Sequence, residues 1–213
     1  IYLFILIAAL ISFALNKDIK LINFNIHGFN SKSTKNKISE ILKNVSSYDL
    51  IFLQENWSFQ NNIQNTLKNY FLISSIKKSR MKQGSGLTIA IKKGYSVIDF
   101  EEVYFKECNG IIFNANDCFA SKGFIYARIK VENIYFDIYN THLDAGNSKK
   151  DRIVRSKQLS MLKEYIYNKS YGKNIIICGD LNIDYLGQDS NLIDNLNRDL
   201  ELEFIRWDEK YFL

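Results

Sequence analysis

The spacing of apolar positions changes along this chain, and the changes mark its elements. Over Ile19–Asn25 they alternate, with Leu21, Asn23 and Asn25 on one face and Ile22 and Phe24 on the other, which predicts a strand ending near Asn25. After a polar turn the spacing becomes helical at Ile38, Ile41, Leu42 and Val45, with Ser33 or Thr34 as N-cap. Residues 49–54 then read as a short strand. In the middle of the chain, residues 86–91, 95–105, 124–131 and 134–139 are short apolar runs divided by Gly, Asn and charged turns, as antiparallel strands require. Glu132-Asn133 is the turn of a hairpin between the last two. A helix over about residues 151–168 buries Leu159, Leu162 and Ile166 and leads into a strand over 174–179. Ser190 caps a further short helix with Leu192, Ile193 and Leu196 inward. Helices at both ends of a strand-rich middle predict an α/β protein of two packed sheets with helices outside, because each sheet must cover its apolar face.

Composition adjusts this picture only slightly. With 213 residues, 46% apolar and 24% charged, the chain suits one globular domain. A formal charge of +5 favours anionic partners only weakly. Residues 1–15 form a nearly unbroken apolar run, close in length to the core of a signal peptide and short for a membrane span. Ser12-Phe13-Ala14 supplies the small residues a signal peptidase reads, so a secreted protein cut after Ala14 is expected, with residues 16–213 as the domain; a retained signal anchor or a buried helix are the alternatives. Of three cysteines, Cys178 reads as a buried strand thiol, while Cys108 and Cys118 flank a polar loop and either pair locally or stay free.

Four polar clusters fall where apolar strands end, the usual place for a site in a layered α/β protein. Asn25 opens Asn25-Ile26-His27-Gly28; alone, such an Asn usually makes only a turn. Glu55 closes the apolar run 49–54, where an unpaired buried carboxylate is costly and a Mg²⁺ ion, which takes hard oxygen ligands, would resolve the cost. A solvated Glu is the plainer reading. Asn140-Thr141-His142-Leu143-Asp144 follows the strand 134–139, with Asn140, His142 and Asp144 on one side. His142 is one of only two histidines in the chain. Gly179-Asp180-Leu181-Asn182 places Asp180 and Asn182 side by side, fit to orient a water and hold a phosphate oxygen, or simply to form an Asx turn.

Taken in order, Asn25, Leu53-Gln54-Glu55, Asn140-Thr141-His142-Leu143 and Gly179-Asp180-Leu181-Asn182 resemble the endonuclease/exonuclease/phosphatase superfamily over residues 19–184. The resemblance implies a four-layered α/β/β/α sandwich of two mainly antiparallel sheets flanked by helices. It assigns Glu55 and Asn25 to a Mg²⁺ ion, His142 to a hydrogen bond with a phosphoryl oxygen, and Asp180 with Asn182 to the attacking water and the phosphate. Asn116 to Tyr126 is similar to the Lys-Gly segment of neutral sphingomyelinases, and Asp117 and Lys122 keep the spacing of an Asp/Lys pair of that branch, which implies that Lys122 meets substrate phosphate; the plainer reading is that Lys122-Gly123 only opens a strand.

One departure stands against these matches. The superfamily closes on a Ser-Asp-His motif whose His is the general base, and residues 200–213 contain no His. Together with Ile1 in place of an initial Met, this points to a fragment incomplete at its C-terminus, inactive by itself. The expected function is Mg²⁺-dependent hydrolysis of sphingomyelin to ceramide and phosphocholine at a phospholipid membrane surface. The alternatives are a secreted deoxyribonuclease I-like enzyme acting on nucleic acid, for which no arginine-rich or aromatic-interleaved surface stands out, and a catalytically inactive binding domain.

Overall fold

The computed structural model describes residues 7–11, 18–28, 32–75, 84–109, 121–184 and 187–203. Its strands form two sheets. The first contains β1 (Ile7–Ile11), β2 (Ile19–Asn25), β3 (Leu50–Gln54), β4 (Tyr70–Ser74) and β5 (Thr88–Lys92) in the order β1-β2-β3-β5-β4. The second contains β6 (Ser96–Tyr104), β7 (Gly123–Val131), β8 (Ile134–His142) and β9 (Asn174–Asp180) in sequence order. Among the described strands β2·β3 and β8·β9 pair in parallel and the other neighbours antiparallel. Helices α1 (Lys32–Val45), α2 (Gln60–Thr66), α3 (Lys149–Ser170) and α4 (Asn191–Leu200) complete the set.

Alternation along each strand builds three cores and so four layers. Leu21, Leu50, Phe52, Ile89 and Ile91 of the first sheet meet Ile125, Ala127, Ile129, Phe136 and Ile138 of the second. The opposite faces carry Ile22, Ile51, Leu53 and Ala90 against Ile38 and Leu42 of α1 and Ile63 of α2. On the far side Phe124, Tyr126 and Tyr139 pack on Leu159, Leu162 and Ile166 of α3 and Leu196 of α4. All five residues of β3 are buried, because this strand is covered on both faces. Each such aliphatic side chain contributes about 1.5–3 kcal/mol through removal from water. The expected α/β/β/α sandwich of two mainly antiparallel sheets is the fold.

Several local expectations shift. β8 and β9 run on through His142 and Asp180, which pair in parallel register, so both residues belong to strand ends rather than to the loops after them. α1 already contains Ser33 and Thr34, so neither precedes it as a cap. Ser190 precedes α4 but makes no side-chain cap; Ser148 does cap α3, in a reciprocal box with Asp151. Ile7–Ile11, inside the run read as a leader core, pairs antiparallel with β2; a sheet edge and a leader both ask only for consecutive apolar residues. Cys108 is disulfide-bonded and Cys178 is free and buried, while Cys118 and Asp117 lie outside the described residues. Among the described residues no helix is long and apolar enough to cross a membrane.

The two sheets are also tied by a ladder of buried amides. Asn23 Nδ2 of β2 donates to the Gly179 carbonyl of β9 (3.1 Å). Gln54 Nε2 of β3 donates to Asn23 Oδ1 (2.8 Å) and, across the interface, to Asn140 Oδ1 of β8 (2.7 Å). Asn140 Nδ2 returns to the first sheet, donating to the carbonyls of Leu53 (3.0 Å) and Thr88 (2.9 Å). All three side chains belong to residues 0–1% exposed. Gly179, whose carbonyl takes the Asn23 bond, also sits tightly against its own sheet neighbour: its φ is 153°, and a Cβ there would stand 2.3 Å from the Thr141 carbonyl oxygen of β8.

At the other end of β8, Asp137 is buried and takes a bidentate pair from Arg128 (2.7 and 2.8 Å) and a hydrogen bond from the Ser170 hydroxyl (2.6 Å). Burial pushes its carboxyl up, but Arg128 and Ser170 outweigh that and hold it below the usual carboxylate range.

Two outcomes follow for stability. Gln54→Leu strips two buried acceptors of their donor and should cost about 2–4 kcal/mol in urea unfolding, and Asn140→Leu a similar amount. The double variant should lose at least about 1 kcal/mol less than the sum, because each single change orphans the other's group. Asp137 has a folded pKa below its unfolded one, so its stabilisation is present above about pH 4 and is lost as pH falls through the folded value. Denaturation from pH 6 to pH 2 should therefore be steeper for the wild type than for Asp137→Asn.

Candidate active site

The four polar clusters converge where β2, β3, β8 and β9 end. The parallel strands β2 and β3 finish together, and their following turns stay clamped: Ile26 N–H donates to the Gln54 carbonyl and Gly28 N–H to the Glu55 carbonyl, each at 3.1 Å. Gly28 permits this approach, since a Cβ there would lie 2.2 Å from the Glu55 carbonyl oxygen. His27 and Glu55 both adopt left-handed backbone, with φ of 47° and 59°, and Asn182 does so at 49°. Such residues cost about 1–3 kcal/mol each and persist only where their surroundings fix them.

Asn25 is the hub. Its Nδ2 donates to Glu55 Oε1 (3.0 Å) and to Asp180 Oδ2 (2.8 Å), while its Oδ1 accepts from the His27 N–H (2.9 Å). One amide thus joins a carboxylate of each sheet. The second Glu55 oxygen, Oε2, is buried, has no hydrogen bond and stands 3.3 Å from His27 Nδ1. A buried carboxylate oxygen with unused acceptor capacity suits a hard cation, and the neighbouring Asn25 amide carries a second oxygen. The residues therefore fit a Mg²⁺ ion held by Glu55 and Asn25; ligation through Asn25 Oδ1 would require the amide to rotate. Among the described residues no group of three or more His, Cys, Asp and Glu gathers as a ready-made metal cage.

On the second sheet, His142 Nε2 lies 2.7 Å from Lys122 Nζ and 3.9 Å from Asp180 Oδ2. Burial and the neighbouring Lys122 charge push the imidazole pKa well down, so His142 is neutral. Its Nε2 then accepts from Lys122, which places the proton on Nδ1, and Nδ1 is buried without a hydrogen-bond partner. This arrangement suits a hydrogen-bond donor and not a general base. Burial also pushes Asp180 up, but His142, the hydrogen bonds from Asn25 and from the Asn182 N–H (3.0 Å), and Lys122 together hold it below the usual carboxylate range. Asn182 Nδ2 and Lys122 Nζ both donate to the Leu143 carbonyl (each 2.9 Å).

The structure thus brings together Asn25, Glu55, His142, Asp180 and Asn182. Lys122 is near them but buried rather than exposed as a substrate-facing charge: its ammonium is directed at His142 Nε2, the ring nitrogen nearest Asp180, and at the Leu143 carbonyl. Asp144 belongs to a support layer, accepting from the Asn109 N–H, while its own N–H donates to Gln158. The sequence assigned no role to Asn23 or to Gln54 within its motif, and set His27 aside as a replacement for the missing base because it lies beside Asn25 at the other end of the chain. His27 had a signal, its position two residues after Asn25 in a Gly-ended turn. A shallow depression of about 420 Å³ between the starts of α3 and α4, lined by Lys149, Arg152, Ile153 and Asp189 among others, shares none of the site residues.

Comparison with known proteins agrees with this architecture. Sphingomyelinase C of Bacillus cereus is 31% identical over 81 residues, 35% of this chain and 24% of that protein. Sphingomyelinase C 2 of Leptospira interrogans is 31% identical over 113 residues, 46% of this chain and 18% of that protein. The matches therefore span a quarter or less of these relatives' lengths. Among solved structures, beta toxin of Staphylococcus aureus superimposes with a TM-score of 0.71 at 19% identity, covering 84% of this chain and 72% of that one. A variant of the same toxin with bound magnesium ions gives a TM-score of 0.66 at 18% identity, covering 80% and 64%. The family model for Endonuclease/Exonuclease/phosphatase family 2 matches residues 9–208. The chain belongs to that endonuclease/exonuclease/phosphatase family.

Proposed function

We propose that this domain is the metal- and phosphate-binding part of a divalent-cation-dependent phosphodiester hydrolase acting on sphingomyelin, releasing ceramide and phosphocholine. The observation that carries the reading is the Asn25 amide, which joins Glu55 of one sheet to Asp180 of the other within 3.0 Å. It sets a cation-binding half beside a phosphate-binding half. A divalent cation held by Glu55 and Asn25 supplies Lewis-acid polarisation of a phosphoryl oxygen.

The protein residues do the rest. The His142 Nδ1–H, which has no partner in the structure, donates to a phosphoryl oxygen and gains strength as negative charge accumulates there. Lys122 holds His142 in the tautomer this requires. Asp180 accepts a hydrogen bond from the attacking water, and Asn182, held beside it by its N–H bond to Asp180 Oδ1, positions the phosphate. Proton removal from that water is left to a group other than neutral, Lys-tethered His142. The lipid substrate is supported by the sphingomyelinase names of the two relatives. Secretion is supported by the disulfide at Cys108, since disulfides persist in oxidising compartments.

In the full-length protein, Glu55→Gln should raise the Mg²⁺ concentration needed for half-maximal sphingomyelin hydrolysis by about tenfold or more, leaving saturating turnover less affected. His142→Ala and Asp180→Asn should lower kcat by about 10²–10³ with little change in KM, because their contacts tighten in the transition state. Cleavage of DNA with no action on sphingomyelin vesicles would reject the lipid assignment and favour a nuclease; unchanged kinetics in all three variants would reject the site.

A further inference from the structure

His27 stands beside the proposed cation position and is used by none of the roles above. It is one of two histidines in the chain. Its backbone is held at φ 47° by its N–H bond to Asn25 Oδ1, and the clamp between the turns after β2 and β3 keeps it against Glu55. The imidazole is largely in solvent, 59% exposed, yet its Nδ1 approaches to 3.3 Å from Glu55 Oε2, the buried carboxylate oxygen with no hydrogen bond. Neighbouring donors around an octahedral ion with bonds of about 2.1 Å stand about 3 Å apart. The imidazole nitrogen and the carboxylate oxygen are already close to that spacing.

We infer that His27 supplies a nitrogen ligand, through Nδ1, to the cation held by Glu55 and Asn25, and that it biases the site toward ions such as Mn²⁺ and Co²⁺ over Mg²⁺. This rests on the cation site of the preceding reading and adds its selectivity. Carboxylate, amide carbonyl and water suit Mg²⁺, whereas neutral imidazole binds Mg²⁺ poorly and binds first-row transition ions increasingly well from Mn²⁺ to Co²⁺. One nitrogen among oxygens therefore changes the order of affinities without changing the number of charges. A His27 that served only as an ion-pair partner of Glu55 would act on every divalent ion alike, because removing it would alter electrostatics and not ligand type. The left-handed backbone bears on this too: such strain persists only where the surroundings fix a residue, and the ring it carries stands 3.3 Å from Glu55 Oε2.

The test is direct binding, by calorimetry, of Mg²⁺, Mn²⁺ and Co²⁺ to the whole chain, with the visible absorption of bound Co²⁺ as a second readout. The variants are His27→Ala, His27→Asp and Glu55→Gln. His27→Asp suits the left-handed backbone and exchanges nitrogen for oxygen while keeping a ligand. Expected for His27→Ala is a loss of about tenfold or more in Co²⁺ affinity, with Mg²⁺ changed less than about threefold and a displaced Co²⁺ absorption band. His27→Asp should tighten Mg²⁺ relative to Co²⁺. Equal shifts for all three ions, or an unmoved Co²⁺ band, overturn the inference while leaving the cation site intact if Glu55→Gln still weakens binding. Failure of the wild type to bind any of the ions in a Glu55-dependent manner overturns the inference together with the cation site itself.

Discussion

Everything chemical in this molecule depends on holding two separate sheets in fixed register at one end. The amide ladder Asn23–Gln54–Asn140, with its anchors at the carbonyls of Gly179, Leu53 and Thr88, does this in the layer directly beneath the site. Asn23 is two residues from Asn25 and shares its face of the strand, Asn140 stands in the same relation to His142, Gln54 adjoins Glu55 and Gly179 adjoins Asp180. An apolar plug would have satisfied the core, but apolar contacts are non-directional and tolerate sliding. Amides with one geometry for donor and acceptor do not, and in a dry interior an error in register would leave several polar groups unpaired at once.

On that base, the two halves acquire opposite electrical character from the same burial. On the first sheet, a strained turn leaves Glu55 with one oxygen tied to Asn25 and one without a hydrogen bond, a concentration of negative potential. On the second, burial and Lys122 keep His142 neutral and leave its Nδ1 buried without a hydrogen bond. The Asn25–Asp180 hydrogen bond is the point where the halves touch. A phosphodiester, anionic and rich in acceptor oxygens, is complementary to a cation on one side and hydrogen-bond donors on the other.

Much of this was legible in the sequence, and the rest was hidden for identifiable reasons. β2, β3, β7 and β9 were read nearly to the residue because their apolar positions alternate or run continuously between polar ends. α2 escaped because Gln60–Thr66 buries only Ile63, leaving no period to detect. β4 escaped because its buried residues, Tyr70 and Ile73, are three apart, which is not the two-residue alternation that marks a strand. Asn25, Glu55, His142, Asp180 and Asn182 were visible as polar residues ending apolar strands. Lys122 was visible too, but which way a lysine turns is decided by tertiary partners, here the imidazole of His142 and the Leu143 carbonyl. The ladder itself was unreadable, because Asn23, Gln54 and Asn140 become meaningful only when two sheets are laid face to face.

The most direct test of this account is crystallographic: the whole chain, soaked with Mn²⁺ and phosphocholine, with diffraction recorded at the manganese absorption edge. The account predicts one strong anomalous peak bonded to Glu55, with a phosphate oxygen within hydrogen-bond reach of His142 Nδ1. A peak bound elsewhere, or phosphocholine lodged away from His142 and Asp180, would contradict it.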